Sequence, residues 1–351
     1  MLYQLSYGGG VAAKDSREVH NPRVLVLSRR EVEELLDLDA LVEAVASAMD
    51  DLSAGRASMP ARTAAEVAER SGLLAVMPAY VPAAGALTTK LVSLFPQNAG
   101  TEIPTHQALI AVFDAADGRP IALLDGTHIT AARTAAGSAL SVRLLARADA
   151  STLAILGTGV QARAHARAVV RVGALDEIRV AGRNPERAAA LAKSLADELG
   201  LSVRACRSYE EALAGADIVC ACTHPVEPAV RREWLTPGVH VTSVGFSARG
   251  REVDDATVAD ALVVVESRAS ALAPPPAGTP DLIEPIATGV IGTEHVHAQI
   301  GELVAGTRPG RAGPEQITLY KSVGVAVQDA AAAALVLAAA REQGMGREIE
   351  I

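Results

Sequence analysis

The stretch from Ser151 to Asn184, STLAILGTGVQARAHARAVVRVGALDEIRVAGRN, decides the fold. The apolar run 153–156 predicts a buried strand, residues 157–162 predict a tight glycine turn, and an alanine- and arginine-rich helix follows. A second strand is expected over 178–181. Glycines at this spacing let backbone N–H groups approach a pyrophosphate, which the positive helix N-terminus attracts. The alternative is a glycine turn between packed elements, but the flanking strands and helix favour a dinucleotide site.

Composition bounds the size and the partners of the protein. The chain has 351 residues, half of them hydrophobic, which is enough for a large core and predicts two domains. The net charge of −9 argues against nucleic acid or an anionic membrane as a partner. The apolar stretch 323–340 is interrupted by Gln328 and Asp329, so no segment is expected to span a bilayer.

The cysteines point to a reducing compartment. They are few, and two of them lie on an apparent buried strand with no further metal ligands nearby. We therefore expect no metal site, and we expect core cysteines of a cytoplasmic protein. These residues are Cys206, Cys220 and Cys222.

The order of predicted elements gives the fold class. The βα alternation continues beyond Asn184 and predicts a doubly wound parallel sheet over 141–317. Short strand-like segments between turn residues predict an antiparallel sheet with helices in 24–140. An alanine-rich helix from about Leu319 to near Gly344 is expected to pack on this first part, so that 318–351 completes it. Residues 1–23 are expected to be poorly ordered. The predicted class is α/β, a Rossmann-type sheet combined with an α+β domain.

Three basic residues stand in low-charge surroundings. Lys90 interrupts an apolar strand pattern, where a lysine is costly unless it is paired or serves a site. Buried lysines have lowered pKa values and act as bases or as partners of carboxylates. Arg62 and Arg133 are isolated arginines, and arginine binds carboxylates and phosphates through paired hydrogen bonds. A solvent-facing position remains the alternative for each of them.

Spaced motifs along nearly the whole chain from Val24 resemble the ornithine cyclodeaminase/μ-crystallin family. The glycine turn is one of these motifs, and several ordered motifs are far more specific than that turn alone. The others are Met59-Pro60-Ala61-Arg62, Met77-Pro78, Lys90-Leu91-Val92, Pro104-Thr105-His106-Gln107, Asp125-Gly126 through Arg133-Thr134-Ala135-Ala136, Gly245 through Arg251-Glu252-Val253-Asp254, and Tyr320-Lys321-Ser322-Val323-Gly324.

The resemblance implies a homodimer in which a substrate-binding and dimerisation domain accompanies an NAD(P)-binding Rossmann domain. Arg62 and Lys90 would hold the substrate carboxylate, with Lys90 also moving a proton at the substrate nitrogen. Met77 would line the substrate site, and Arg133 and Thr134 would contact a cofactor phosphate or the substrate carboxylate. The other positions implied to contact the cofactor are Gly157, Thr158, Gly159, Val160, Gln161, Arg183, Asn184, Thr223, Val244, Val323 and Gly324.

Two departures from the family pattern bear on the reaction. Cyclodeaminases carry a glutamate just before the Met-Pro pair and an aspartate two residues after the glycine that matches Gly245. This sequence has Ala75 and Ser247 at those positions. Without the two carboxylates the site has little to hold a second ammonium, which disfavours a diamino acid as substrate. Ser247 is kept as a candidate catalytic residue, because the reductase branch of the family tolerates serine there.

The end of the second strand bears on cofactor choice. NAD sites usually place an acidic residue there for the ribose hydroxyls. Gly182-Arg183-Asn184 contains no acid, and the Arg183 guanidinium can meet a 2′-phosphate. The sequence therefore predicts NADP(H) in preference to NAD(H). The alternative is that Arg183 stacks on the adenine while NAD binds.

Together these features predict an NAD(P)H-dependent imine or ketimine reductase, or an amino-acid dehydrogenase. It would transfer hydride at the C–N bond of a small 2-imino or 2-amino carboxylate. The first alternative is ornithine cyclodeaminase, which forms proline and ammonia with NAD as a catalytic cofactor. The second alternative is a non-catalytic NADP(H)-dependent small-molecule binder, against which the retained Arg62 and Lys90 argue.

Overall fold

The computed structural model describes residues 23–245, 250–274 and 277–351. Two sheets organise these residues, and helices cover them. The first sheet has seven strands in the spatial order β15-β1-β6-β5-β4-β3-β2. Its strands are β1 (Arg23–Leu27), β2 (Thr63–Val67), β3 (Gly72–Val81), β4 (Ala86–Leu94), β5 (His106–Phe113), β6 (Pro120–Asp125) and β15 (Arg347–Glu350).

The second sheet is parallel throughout and has eight strands in the order β13-β12-β14-β11-β10-β7-β8-β9. Strands run outward in both directions from β7, the strand that precedes the glycine turn, as in a doubly wound fold. The strands are β7 (Thr152–Leu156), β8 (Glu177–Ala181), β9 (Ser202–Ala205), β10 (Ile218–Ala221), β11 (His240–Ser243), β12 (Leu262–Val265), β13 (Val296–Gln299) and β14 (Thr318–Lys321).

Helices begin at residues that cap them. Asn184 accepts a hydrogen bond from the Arg187 backbone at the start of α5, and Ser28 and Glu31 form a capping box at the start of α1. The helices are α1 (Arg29–Leu35), α2 (Leu38–Ser53), α3 (Gly126–Leu145), α4 (Val160–Val169), α5 (Pro185–Leu199), α6 (Tyr209–Leu213), α7 (Asp255–Asp260), α8 (Arg268–Ala271), α9 (Pro280–Ala287), α10 (Ile300–Val304) and α11 (Ala326–Gln343). In the described part of the chain, none of them combines the length and the apolar character that crossing a bilayer requires.

The inner face of the seven-stranded sheet sets up the site. Burial alternates along β4, so Ala86, Thr88, Lys90 and Val92 point inward while their neighbours point outward. Helices α2, α3 and α11 pack on this side of the protein. Because α3 also packs against α4 and β11, it joins the two sheets. Because side chains alternate between the two faces of the strand, Lys90 points into the core, beneath α3 and α11.

The α/β class and the parallel Rossmann sheet are confirmed, with three differences in detail. The first sheet is mixed rather than antiparallel, because β1 pairs in parallel with β6. The predicted helix from Leu319 is wrong at its start: Thr318–Lys321 is a strand, and the helix begins at Ala326. Since β14 lies within the eight-stranded sheet, the predicted domain boundary at 318 separates this strand from its partners.

Candidate active site

The carboxyl ends of the parallel strands bring most of the predicted cofactor residues into one row. The order β14-β11-β10-β7-β8 places the ends of these strands side by side. In a doubly wound sheet, ligands bind in the crevice along this edge, where the winding reverses. The residues that follow the five strands in this order are Val323 and Gly324, Val244, Thr223, Gly157 to Gln161, and Arg183 with Asn184.

The glycine turn has the backbone geometry that a pyrophosphate requires. Gly157 has a φ of +118°, and a Cβ added there would lie 2.5 Å from the Cys222 carbonyl oxygen, so glycine is needed. Gly159 is the N-cap of α4 and supplies no side-chain cap, while a Cβ added there would meet nothing within 4 Å. Val160 is 67% exposed. Uncapped N–H groups beside open space fit a dinucleotide phosphate.

The end of β8 carries exposed basic character and no acid. Arg183 is exposed there. Its positive charge acts on the half-buried Tyr209, where it partly offsets the rise in pKa that burial causes. Asn184 is the N-cap of α5, so its side chain serves the helix. The close packing of Gly182 on Thr158, where an added Cβ would lie 2.6 Å from Cγ2, joins this strand end to the glycine turn.

A cluster of buried charges lies where β4, α3 and α11 meet. The Lys90 Nζ lies 2.7 Å from Asp329 Oδ2, and the Arg133 Nε lies 2.9 Å from Asp329 Oδ1. Arg133 also donates to Gln328 Oε1 at 3.0 Å, and Lys90 lies 3.5 Å from the Thr130 hydroxyl. All three charged side chains are less than 5% exposed. We call Lys90, Asp329 and Arg133 the buried triad.

Arg62 meets this triad through the turn after β14. Its Nη2 donates to the carbonyl oxygens of Val323 and Gly324, at 3.2 and 2.6 Å. On the other side of the turn, the buried Glu266 accepts the backbone N–H groups of the same two residues at 2.7 and 2.9 Å. A Cβ added at Gly324 would lie 2.8 Å from the Arg133 guanidinium. The turn is therefore held between Glu266 and Arg62, next to Arg133.

A second buried network lies under the ends of β10 and β11. The Glu252 carboxylate accepts hydrogen bonds from the backbone N–H and hydroxyl of Thr223, the hydroxyl of Ser243 and the backbone N–H of Gly245, all within 2.6–2.7 Å. Lys321 contacts Ser243 Oγ and the Gly245 carbonyl at 2.9 Å and Asp281 Oδ2 at 3.0 Å. These bonds fix the backbone positions of the predicted cofactor contacts at this end of the row.

Burial sets the protonation of the basic cluster. Burial lowers the pKa of Lys90 to about 8, because the pull of Asp329 only partly offsets the loss of water and the repulsion from Arg133 and Arg62. Burial raises the pKa of Asp329, but Arg133 and Lys90 outweigh it, and the net pKa is below the usual value. The pKa of His106 falls to about 4 through burial and the nearby positive charges. The cluster thus pairs an ionised aspartate with a lysine able to exchange a proton near neutral pH.

Three further residues were predicted for the site, namely Met77, Thr134 and Ser247. Met77 is buried and lies opposite Lys90 in the β3–β4 register, and Ala75 shares its inward face two residues away. Thr134 donates its hydroxyl to the Thr130 carbonyl within α3, which accounts for its donor in this structure. Ser247 lies outside the described residues.

Sequence reasoning assigned no role to several residues that build the site. Glu252 lies within the motif that runs from Gly245 to Asp254. Glu266 directly follows the apolar strand Leu262–Val265, where a buried acid is costly and its presence therefore points to a specific role. Asp329 interrupts an apolar stretch, and this interruption is the sequence signal that points to it. In the described ranges, no group of three or more His, Cys, Asp or Glu side chains is arranged to hold a metal ion.

Comparison with known proteins places the chain among reductases and dehydrogenases. It is 36% identical over 315 residues to ketimine reductase mu-crystallin of Mus musculus, covering 88% of this chain and 95% of that protein. It is 37% identical to the structure of Thermococcus litoralis Δ1-pyrroline-2-carboxylate reductase in complex with NADH and L-proline, with a TM-score of 0.89 and coverage of 93% and 100%. An archaeal alanine dehydrogenase dimer with bound NAD matches at 31% identity and a TM-score of 0.87, covering 94% and 100%. Residues 23–344 match the ornithine cyclodeaminase/mu-crystallin family, and the chain belongs to that family.

Proposed function

We propose that this protein is an NAD(P)H-dependent imine or ketimine reductase, or amino-acid dehydrogenase, acting on a small 2-imino or 2-amino carboxylate. The observation that carries the proposal is the concentration of Arg62, Lys90 and Arg133 around one aspartate, beside the carboxyl edge of a dinucleotide-type sheet. The three cations outnumber the two buried acids beside them, Asp329 and Glu266, and leave a net positive site, which suits a carboxylate substrate. Relatives named as ketimine and pyrroline-2-carboxylate reductases support the same reaction.

Different residues of the chain have different roles in the reduction. Bound reduced nicotinamide supplies a hydride to the carbon of the substrate C=N bond. The Arg62 and Arg133 guanidinium groups bind the substrate carboxylate and orient that carbon toward the row of strand ends. Lys90 gives a proton to the substrate nitrogen as the C=N π bond breaks. Glu266 and Glu252 hold the backbone of Val323, Gly324 and Thr223 in place for the cofactor.

The apolar neighbours of Lys90 favour reduction over cyclisation. Ala75 and Met77 share the inward face of β3 opposite β4, where a cyclodeaminase has a glutamate for the distal ammonium. The described acid next to Lys90 is Asp329, and it is already shared with Arg133. A distal ammonium would be left without a carboxylate partner, which costs binding energy.

The test compares two assays on the purified protein. A cyclic 2-imino carboxylate, or pyruvate with ammonia, is expected to consume reduced nicotinamide, followed by its absorbance. Ornithine is expected to give no proline. Proline formation from ornithine at a comparable rate, without net cofactor change, would contradict the proposal and support the cyclodeaminase. If K90A left every detected reaction unchanged while ligands still bound, the non-catalytic binder would be favoured.

We further propose that NADP(H) is preferred over NAD(H). The support is the exposed Arg183 at the end of β8 and the absence of an acid in Gly182-Arg183-Asn184. Two relatives have NADH or NAD bound, and the preference of this chain is tested by measuring its affinity for both cofactors. R183A is expected to weaken NADPH binding about 10–100-fold and NADH binding little, because it removes a charged contact to the 2′-phosphate. R204A, on the neighbouring strand β9, is the control. Equal losses for both cofactors would refute this role of Arg183.

We also propose a homodimer, in the cytoplasm, joined through the outer face of the seven-stranded sheet. This face exposes large apolar side chains, among them Leu74 at 46% and Leu109 at 48%, and its edge strand β2 is exposed along its whole length. The solved structure of an archaeal alanine dehydrogenase dimer supports this assembly. L109E is expected to give a monomer in light scattering, whereas V290E, an exposed site outside this sheet, is expected to stay dimeric. A monomeric wild-type protein would overturn the proposal.

A further inference from the structure

Asp329 lies between the two basic groups of the buried triad. It lies in the first turn of α11, 239 residues after Lys90 along the chain, and its two oxygens serve different partners. Oδ2 meets Lys90 Nζ at 2.7 Å, and Oδ1 meets Arg133 Nε at 2.9 Å. One carboxylate therefore fixes both the distance and the direction between an ammonium and a guanidinium.

We infer that Asp329 is a positioning residue for proton transfer, which holds the Lys90 ammonium in the charged state and aimed at the substrate nitrogen while Arg133 is held for the carboxylate. This inference rests on the proposed imine-reducing function and extends it to a residue that touches neither substrate nor cofactor. The geometry supports it directly, because an ammonium has three N–H donors. Among the described residues, Lys90 forms an ion pair with Asp329 and a longer contact with the Thr130 hydroxyl, which leaves donor capacity for the substrate.

The charges around Lys90 explain why an anion is needed. Arg133 on α3 and Arg62 before β2 repel its proton, burial removes water, and His106 on β5 lies near enough to feel the Lys90 charge. Asp329 on α11 is the anion that acts against all of these. Without it, Lys90 would lose its proton at a lower pH, and the donor for the substrate nitrogen would be missing under ordinary conditions.

The step balances with the reactants of the proposed function. The C=N carbon gains a hydride from the dihydronicotinamide, which is oxidised, and a C–H bond forms. The electron pair of the broken π bond takes a proton from Lys90 Nζ, and an N–H bond forms. Lys90 is left as a neutral amine and regains a proton from water. Asp329 remains ionised throughout.

The chain offers an unusually clean probe, because it contains four lysines, Lys14, Lys90, Lys193 and Lys321. Lysine labelled with ¹³C at Cε gives four resonances, and K90R and K321R assign those of Lys90 and Lys321. In the wild-type protein, the Lys90 resonance is expected to titrate near pH 8. In D329N it is expected to titrate about 1–3 units lower, the range caused by losing a close opposite charge.

Kinetics provide the second readout. In the reductive direction, kcat/KM is expected to fall above the pKa of Lys90, and in D329N this descending limb is expected to move to lower pH with the resonance. D281N is the matched control, because Asp281 forms the other buried lysine–aspartate pair, with Lys321. D281N is expected to alter the Lys321 resonance and to leave the Lys90 titration in place. D329E, which keeps the charge, is expected to restore the Lys90 titration to within about one unit of wild type.

The outcomes separate this inference from the proposed function. A wild-type Lys90 resonance that titrates below about pH 6 would overturn the inference even if D329N did not fold, because Lys90 would then be neutral at ordinary pH despite Asp329. So would a D329N protein whose Lys90 resonance and kinetic limb both match wild type. Failure of the wild-type enzyme to reduce any 2-imino carboxylate would instead overturn the proposed function, whatever the titrations show.

Discussion

The described part of the chain contains two buried lysine–aspartate pairs of nearly the same geometry, and they differ in how completely the lysine is satisfied. Lys321 contacts Asp281, the Ser243 hydroxyl and the Gly245 carbonyl, all within 3.0 Å, so each of its three donors has a partner. Lys90 has Asp329 at 2.7 Å and the Thr130 hydroxyl only at 3.5 Å. A fully satisfied buried charge holds structure together, whereas an incompletely satisfied one is available for chemistry.

The aspartates show the same contrast. Asp281 accepts the backbone N–H groups of Glu252 and Val253 and the hydroxyl of Thr279, in addition to the contact with Lys321. Asp329 is divided between two cations instead. The first pair is thus tied into the backbone of the strand ends, while the second is tied to side chains that can contact a ligand. Three substitutions or conditions can sharpen or break this contrast.

The largest expected effect is on activity. K90M is expected to lower kcat/KM for a 2-imino carboxylate by about 10²–10⁴-fold, because it removes the general acid. Cofactor affinity, measured by quenching of the dihydronicotinamide fluorescence, is expected to stay within about threefold of wild type, since the row of strand ends is untouched. Activity within tenfold of wild type would remove the distinction between the two lysines.

The next largest effect is on stability, where replacing Lys321 is expected to cost more than replacing Lys90. K321M leaves Asp281 buried with no cation and is expected to cost about 3–5 kcal/mol of unfolding free energy. K90M leaves Asp329 still paired with Arg133 and is expected to cost less than half as much. Urea denaturation of both variants measures the difference. A K90M protein as unstable as K321M would mean that the triad is structural.

The smallest effect comes from mild acid, through two buried histidines that lie outside both lysine–aspartate pairs. Burial lowers the pKa of His165 to about 4 and of His240 to about 3. The unfolded chain gains these protons near pH 6.5 and the folded protein does not, so stability falls as the pH drops below 6.5 toward 4. Between pH 7.5 and 6 we expect a loss of about 1 kcal/mol for each histidine. Urea denaturation at pH 7.5 and pH 6 measures this loss, and equal stability at the two pH values would contradict it.

Local pattern was enough to predict the Rossmann part of the protein. The glycine turn, its flanking strands and the helix from Pro185 to Leu199 are all determined within a few residues of sequence, and the structure has them where they were expected. Lys90 could be singled out for the same reason, because a lysine in an apolar alternation is locally anomalous. Its inward direction follows from the two-residue period of the strand.

What the sequence could not give is the pairing between distant segments. Asp329 lies in an alanine-rich helix far along the chain from Lys90, and nothing local joins the two. The same limit explains the mixed first sheet, since β1 at the start of the described chain pairs in parallel with β6, which lies far along the sequence. The segment Thr318–Lys321 looked like the start of a helix because alanine-rich sequence follows it, but its neighbours β11 and β12 make it a strand.

The tight packing of helix α3 limits which substitutions this protein can accept during evolution. Fifteen of its 20 residues are buried, and most of these are alanine, glycine, serine or threonine. Because both sheets close upon it, a larger side chain at almost any of these positions must displace a neighbour. In a saturation mutagenesis library, α3 will therefore form a nearly continuous intolerant block, with substitutions accepted mainly at Thr127, His128, Thr130, Arg143 and Leu144.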